Sequence, residues 1–177
     1  MRGYPGSETA GKKNKLDTIG IRPMKWDDLD QVMEIEKVSF TYPWQRSGFT
    51  LELAYNTLAC YLVALQKGED KKVLGYGGIW FMGERTHVTT LAVHPSWRGH
   101  KVGSAILYNL ILRAYFRGST RMSLEVRVSN FPAQNMYKKF GFNVNKVKPG
   151  YYQNEDALMM EANLLKAGLG SNVRRNR

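Results

Sequence analysis

The sequence predicts a mixed α/β fold with about seven strands and about four helices. Its 177 residues, 43% of them hydrophobic, suit one globular domain with a single sizeable core. Strands joined by tight turns come early in the chain, and a strand–helix–strand crossover occupies its middle. Because hairpins pair strands antiparallel and the crossover pairs them parallel, the sheet is expected to be mixed.

The front of the chain is expected to hold an edge strand and two helices. Thr18 to Met24 is typical of a short strand. Asp27 or Asp28 is suited to cap the next helix. The residues at helical spacing in that helix are Leu29, Val32, Met33, Glu36 and Phe40. The aromatic loop Tyr42-Pro43-Trp44 ends it, and a second short helix is expected over about 48–55.

Three strands follow, joined by turns. Residues 58–65 are apolar on both faces, as expected of a central strand. Residues 67–72, KGEDKK, are typical of a hairpin turn that leads into a returning strand over 73–82. Gly83-Glu84 then turns the chain into a strand over 88–93.

The second half of the chain adds two helices and three strands. A helix over 102–116 ends before Gly118, and the strand 121–128 alternates cleanly between apolar and polar residues. Asn130 is a suitable cap for a helix over 131–140, which Gly141 closes. Strands over 142–148 and 156–164 flank a loop that contains Gly150-Tyr151-Tyr152.

The stretch VTTLAVHPSWRGHKVGSAIL, residues 88–107, joins a strand to a helix through a turn that contains Arg98 and Lys101. The first N–H groups of a helix lack intrahelical acceptors, and the helix dipole adds partial positive charge there. Such a turn is suited to a phosphate group. An ordinary connection with solvated basic residues explains the same pattern.

Two side chains indicate chemistry near this turn. The crossover places strands 88–93 and 121–128 parallel, and open sheets bind ligands at the carboxyl ends of such strands. Glu125 lies close to that end; the alternative is an exposed carboxylate paired with Arg127. Tyr137 lies on the apolar stripe of the last helix; the alternative is a buried tyrosine whose hydroxyl finds some other partner.

The net charge of +11 is concentrated at the two ends of the chain. Residues 1–17 carry +2 and residues 166–177 carry +4, which leaves +5 for residues 18–165. We therefore expect a domain over 18–165 between flexible basic tails at 1–17 and 166–177. The tails are candidates for weak contact with a ribosome or RNA, although most such segments are only solvated.

The composition also argues against several classes of protein. No apolar run approaches the roughly 18 residues of a membrane span, and the first residues lack the apolar segment of a secretory signal. The single cysteine, Cys60, excludes a disulfide framework and is expected in the core. The histidines His87, His94 and His100 show no metal-ligand spacing with it. We expect a cytoplasmic protein without a metal or a membrane partner.

The order of LAVHPSWRGHKVGSAIL, LEVRVSN and AQNMYKKFGF resembles the GCN5-related N-acetyltransferase (GNAT) family. FTYPW near the front and GYYQNEDALMM near the end are similar to its RimI branch, the bacterial enzymes that acetylate the N-terminal amine of a ribosomal protein. The resemblance covers about residues 19–164. It implies the GNAT fold, with three layers and a mostly antiparallel sheet whose central parallel pair is splayed.

The resemblance also implies roles for individual residues. Glu125 and Tyr137 match the general base and the general acid of the branch. The coenzyme contacts implied for acetyl-CoA are Leu91, Ala92, Val93, Arg98, Gly99, His100, Lys101, Val102, Gly103, Ser104 and Asn130. The backbone of residues 91–93 would pair with the pantetheine arm and polarise the thioester. Lys101 stands where the family's pyrophosphate loop has its first glycine, so a positive φ there would weaken binding.

These residue types suit acetyl transfer, which needs a neutral amine, a stabilised oxyanion and a proton for the leaving thiolate. An α-amino group has a pKa of about 7.7–8.0, against about 10.4 for lysine. A modest base such as Glu125, acting directly or through water, is therefore enough at neutral pH. A tyrosine with a pKa near 10 is a competent acid toward a thiolate.

The expected function is acetyl-CoA-dependent acetylation of an N-terminal amine, with alanine of a small-subunit ribosomal protein as the inferred acceptor. Transfer would be direct, in a ternary complex. Tyr42, Trp44 and Tyr152 are expected to contact the acceptor peptide, although a hydrophobic clasp between loops is the alternative. Two other functions stay open: transfer to lysine side chains, polyamines or a small amine, and a non-catalytic acyl-CoA-binding or ribosome-associated module.

Overall fold

A computed structural model describes residues 19–66 and 68–165, so both expected tails lie outside the described residues. The strands are β1 (Ile19–Pro23), β2 (Ala59–Gln66), β3 (Glu69–Met82), β4 (Arg85–Val93), β5 (Arg121–Arg127), β6 (Asn143–Lys148) and β7 (Ala157–Asn163). The α-helices are α1 (Leu29–Ser39), α2 (Arg46–Tyr55), α3 (Val102–Phe116) and α4 (Phe131–Lys139). Single 3-10 turns precede α1 and α3, at Trp26–Asp28 and Pro95–Trp97.

The seven strands form one sheet in the order β1-β2-β3-β4-β5-β7-β6. Among the described strands, β4 and β5 pair parallel and every other neighbouring pair is antiparallel. The parallel ladder holds only from Arg85–Arg121 to His87–Ser123. Beyond His87 the two strands separate, which confirms the mixed sheet and its splayed central pair.

Helices cover both faces of this sheet because its buried strands carry apolar side chains on both sides. Along β2, Leu62 and Ala64 belong to the core on the α3 face, whereas Tyr61 and Val63 belong to the core beneath α1 and α2. This alternation follows the two-residue period of a strand. The three-layer prediction is therefore confirmed.

Most expected boundaries agree with the structure, and two local predictions were wrong. The hairpin turn expected over 67–72 is shorter, because β3 begins at Glu69 and pairs with Gln66. Asp28 stands at the N-cap position of α1, as predicted, but its carboxylate makes no capping hydrogen bond there. It accepts hydrogen bonds from the Arg22 guanidinium (2.6 and 2.8 Å) and from the Lys25 N–H (2.7 Å), since the intervening 3-10 turn places it against β1.

Caps and turns in the second half follow the sequence closely. Asn130 accepts a hydrogen bond from the Ala133 N–H at 3.2 Å, and Gly118 and Gly141 adopt the left-handed conformation after their helices. Cys60 is partly buried and packs against the core on the α3 face. Burial raises the pKa of its thiol. Among the described residues, no helix is both long and apolar enough to cross a membrane.

Candidate active site

A cleft of about 320 Å³ opens where β4 and β5 separate. The end of α1, the aromatic loop over 40–44, both strands, the start of α4 and the loop before β7 form its walls. The predicted site residues in its lining are Tyr42, Trp44, Leu91, Glu125, Asn130, Tyr137 and Tyr152. The structure thus brings the expected base, acid and acceptor contacts into one cleft, from segments far apart in the sequence.

Glu125 lies in this cleft as a paired carboxylate. Its Oε2 is 3.0 Å from His87 Nε2, and its Oε1 contacts the Lys148 ammonium. The interpretation that Glu125 pairs with Arg127 is wrong, because Arg127 pairs with Glu155 at 3.2 Å. The hydrogen bond from His87 outweighs the desolvation of Glu125 and, with Lys148, lowers the pKa of Glu125 to about 2. Glu125 is therefore ionised at neutral pH.

Tyr137 contributes a protonated hydroxyl to the same cleft. It lies in α4, is 7% exposed, and its ring packs against Phe142 with centroids 5.9 Å apart. Burial raises the pKa of Tyr137 well above the usual value, with a smaller effect from Tyr152. The hydroxyl therefore keeps its proton throughout the neutral range.

The expected acceptor contacts differ in their surroundings. Tyr42 is 60% exposed, whereas the Trp44 ring packs on the buried Phe49 at 5.3 Å, as a hydrophobic clasp would. The Tyr152 ring lies under the Arg127 guanidinium at 4.2 Å and edge-on to Tyr151 at 5.0 Å. Burial raises the pKa of Tyr152 to about 12. All three side chains thus line the cleft, and the Trp44 ring also packs on the core beneath the loop.

The open edge of β4 leads to the turn before α3. Beyond His87, β4 has no β5 partner, so the edge of residues 88–93 is open on that side. Arg98 follows the strand, and its guanidinium donates to the Val93 carbonyl at 3.2 Å and to Ser39 Oγ at 3.4 Å. His100 Nδ1 lies 2.8 Å from the Arg98 carbonyl. The turn is thereby tied to both β4 and the end of α1.

The first turn of α3 is suited to phosphate oxygens. The first intrahelical acceptor is the Lys101 carbonyl, which accepts from the Ala105 N–H at 2.9 Å. The amides of Val102, Gly103 and Ser104 therefore have no acceptor within the helix. A Cβ on Gly103 would lie 3.3 Å from Met136 Sδ and 3.4 Å from Val93 Cγ2, so a side chain there would crowd the turn.

Lys101 adopts the left-handed conformation, with φ +62° and ψ +9°. Gly99 is also left-handed, with φ +75°. The position of the family's first glycine therefore does need a positive φ in this chain, and a lysine occupies it. The strain is local, because Lys101 is exposed and α3 begins normally at the next residue.

Sequence analysis did not assign a role in the site to three titratable residues of the cleft region. His87 and Lys148 hold the Glu125 carboxylate, and Glu36 lines the cleft from α1. His87 and Lys148 come from β4 and β6, so only the sheet topology brings them to Glu125. Glu36 carried a signal, since it is a charged residue within an apolar helical stripe.

Comparisons with known proteins agree with this geometry. Residues 29–142 match the acetyltransferase (GNAT) family. A Bacillus subtilis protein whose name proposes a ribosomal protein bS18-alanine N-acetyltransferase is 40% identical over 142 residues, covering 79% of this chain and 92% of that protein. A Sulfurisphaera tokodaii N-alpha-acetyltransferase is 32% identical over 160 residues, covering 81% and 92%.

A solved structure gives the same result for the fold. The crystal structure of the ribosomal-protein-S18-alanine N-acetyltransferase from Escherichia coli aligns with a TM-score of 0.73 at 25% identity. The alignment covers 82% of this chain and 94% of that one. The residues that match the family, 29–142, include the splayed strands, the turn before α3 and the helix that carries Tyr137. This chain is therefore an acyltransferase that belongs to the acetyltransferase (GNAT) family.

Proposed function

We propose that the protein is an acetyl-CoA-dependent Nα-acetyltransferase that modifies the N-terminal alanine of a small-subunit ribosomal protein. The observation that carries the proposal is the convergence of Glu125 and Tyr137 in one cleft at the open edge of β4. The names of the Bacillus, Sulfurisphaera and Escherichia relatives support the acceptor class. The proposal places the enzyme in the cytoplasm; contact of its basic tails with a ribosome or RNA stays a prediction.

The coenzyme fits the residues that border the cleft. The α3 amides, Arg98 and Lys101 would hold its phosphates, and Asn130 would contact it from the start of α4. The open edge of residues 91–93 would pair with its pantetheine arm. Bound acetyl-CoA supplies the acetyl thioester, and a β4 amide would donate to the carbonyl oxygen as negative charge develops there. Removing one such donor typically costs about 100- to 1000-fold in rate.

Glu125 and Tyr137 would manage the protons. Glu125 would accept a proton from the attacking nitrogen, directly or through water, and Tyr137 would give one to the departing thiolate. The amine attacks while both substrates are bound, so no acyl-enzyme forms. Tyr42 and Tyr152 would hold the peptide at the mouth of the cleft, where both line the wall.

The acceptor is tested by mass spectrometry after incubation with acetyl-CoA. The substrates are peptides that begin with Ala, Ser or Met, each with an internal lysine. We expect label on the α-amine, most of it on the Ala peptide. Label on lysine alone would reject Nα-acetylation in favour of a side-chain acetyltransferase. Coenzyme A binding without thiol release for any amine would instead indicate a non-catalytic acyl-CoA-binding module.

The acid and base are tested by Glu125→Gln and Tyr137→Phe. Each is expected to lower kcat by about 100-fold or more, because each removes a positioned proton-transfer group. Acetyl-CoA affinity should change much less, since neither side chain lies in the turn before α3. The measurements are steady-state kinetics and coenzyme titration. Wild-type turnover in both variants would contradict the assignment.

A further inference from the structure

Glu36 lies on the inner wall of the cleft with an unusual set of contacts. It is in the last turns of α1 and is 1% exposed, yet it lines the same cleft as Glu125 and Tyr137. Its Oε1 accepts a hydrogen bond from the Trp44 N–H at 2.9 Å. Its Oε2 is buried and has no hydrogen-bond partner among the described residues.

The fold offers this carboxylate little compensation for its burial. A negative charge near the C-terminal end of a helix is opposed by the helix dipole. Arg46 pairs with Asp30, Arg98 bonds Val93 and Ser39, and Arg127 on the cleft wall pairs with Glu155. The His87 ring contacts Glu125, and Lys37, the basic residue in the last turn of α1, is exposed. The other titratable groups of the cleft are Tyr42, Tyr137, Tyr151 and Tyr152.

A buried, unsatisfied carboxylate oxygen needs an explanation, and a cationic ligand would supply one. Burial raises the pKa of Glu36 to about 7, close to that of an α-ammonium group, whereas Glu125 stays near 2. The cleft therefore holds two carboxylates of very different basicity. Such a separation is typical of two carboxylates with different roles.

We propose that Glu36 binds the α-ammonium group of the acceptor and takes its first proton. The inference rests on the proposed function and adds a residue to it. The ammonium group transfers one proton to Glu36 Oε2 and becomes a neutral amine. The nitrogen then attacks the thioester carbon, the C–S bond breaks, and the nitrogen's second proton passes to Glu125. Tyr137 protonates the thiolate and regains a proton from Glu125, while Glu36 returns its proton to solvent after the product leaves.

The test is the pH profile of kcat/KM with an Ala-starting peptide for wild type and Glu36→Gln. Glutamine keeps an oxygen for the Trp44 N–H but cannot accept a proton. For wild type, we expect a bell-shaped profile of kcat/KM that rises near the pKa of Glu36 and falls near the pKa of the amine. Glu36→Gln should give a single rising limb at the amine pKa, roughly fivefold below wild type at pH 7, where about half of Glu36 is ionised and roughly a tenth of the amine is neutral. The two profiles should cross near pH 8, because the wild-type profile falls there as the amine loses its proton while that of the variant still rises.

Glu34→Gln is the matched control, because Glu34 is an exposed glutamate on the same helix. It should leave the profile unchanged. If wild type labels the α-amine and Glu36→Gln keeps the wild-type profile, the role of Glu36 is overturned and the proposed function stands. If wild type labels only lysine, the proposed function fails first.

A second measurement follows the protonation of Glu36 directly in the wild-type protein. Wild-type protein with ¹³C-labelled glutamate carboxyls is titrated by NMR in the presence of coenzyme A, with Glu36→Gln used to assign the signal. A peptide with a free α-amine should move the Glu36 titration to lower pH, because the ammonium group stabilises the carboxylate. The Nα-acetylated form of the same peptide should leave the titration of Glu36 unchanged. Equal titrations with both peptides would overturn the proposal.

Discussion

Lys101 adopts a left-handed backbone conformation that glycine would adopt without strain. A residue with a Cβ in the left-handed region costs roughly 1–2 kcal/mol, and glycine does not carry that penalty. We predict that Lys101→Gly raises the free energy of unfolding by about 1 kcal/mol, measured by urea denaturation. Lys101→Ala keeps the Cβ and serves as the control, with no gain in stability. A gain in the alanine variant equal to that of glycine would contradict backbone strain as the cause.

The same pair of variants separates strain from charge in coenzyme binding. Lys101→Ala and Lys101→Gly both remove the ammonium group beside the first α3 amides. If that charge meets a phosphate, both variants lose acetyl-CoA affinity in low salt and the loss shrinks as salt rises.

Glu36 also gives the folded protein a pH dependence with a defined sign. Its folded pKa is raised from 4.5 to about 7, so its contribution to stability is present below about pH 4.5 and lost as the pH rises through 7. The span corresponds to a loss on the order of 3 kcal/mol. We predict that Glu36→Gln flattens the fall in unfolding free energy between pH 5 and pH 8. Glu34→Gln should reproduce the wild-type slope, and an unchanged slope in Glu36→Gln would contradict the raised pKa.

At the scale of elements, glycines on β3 allow α3 and β4 to pack closely against it. A Cβ at Gly75 would lie 2.7 Å from the Ala92 carbonyl oxygen, and one at Gly77 would lie 2.8 Å from Ile106 Cγ2. Gly75 is opposite Val93 in the ladder, so these contacts set the position of the strand edge that leads to the turn before α3. The glycines are thus part of the support of the site.

We predict that Gly75→Ala lowers the free energy of unfolding by about 1–3 kcal/mol, because the new methyl group meets backbone that cannot move away cheaply. Urea denaturation measures the effect. Gly48→Ala is the matched control: its Cβ would make an ordinary 3.7 Å contact with Trp44, and its helix should gain up to about 1 kcal/mol. A neutral Gly75→Ala would show that β4 adjusts freely.

At the scale of the whole molecule, local sequence patterns and the family resemblance predicted the order of helices and strands and the type of sheet. They predicted only part of the candidate site. The alternation over 121–128 predicted β5, the Asn130 cap predicted the start of α4, and Gly118 predicted the end of α3. These signals can be read from the sequence because each depends on residues that are neighbours in the chain. The partners of Glu125 could not be found in this way. His87 reaches it because β4 pairs with β5, and Lys148 reaches it because β7 pairs with both β5 and β6. Glu36 lines the same cleft because α1 packs against β3 and β4.

The same topology predicts where the molecule responds to its coenzyme. If the pantetheine arm pairs with the open edge of β4, bound acetyl-CoA should slow amide hydrogen exchange in residues 88–93 and in the first turn of α3. A coenzyme fragment that keeps the pyrophosphate and lacks the pantetheine arm should protect only the α3 turn. Residues of β1 and β2, on the far side of β3, should exchange at the same rate with either ligand. If the fragment also slowed exchange in β4, the pairing of the pantetheine arm with β4 would be contradicted, because binding of the phosphates alone would then protect the strand.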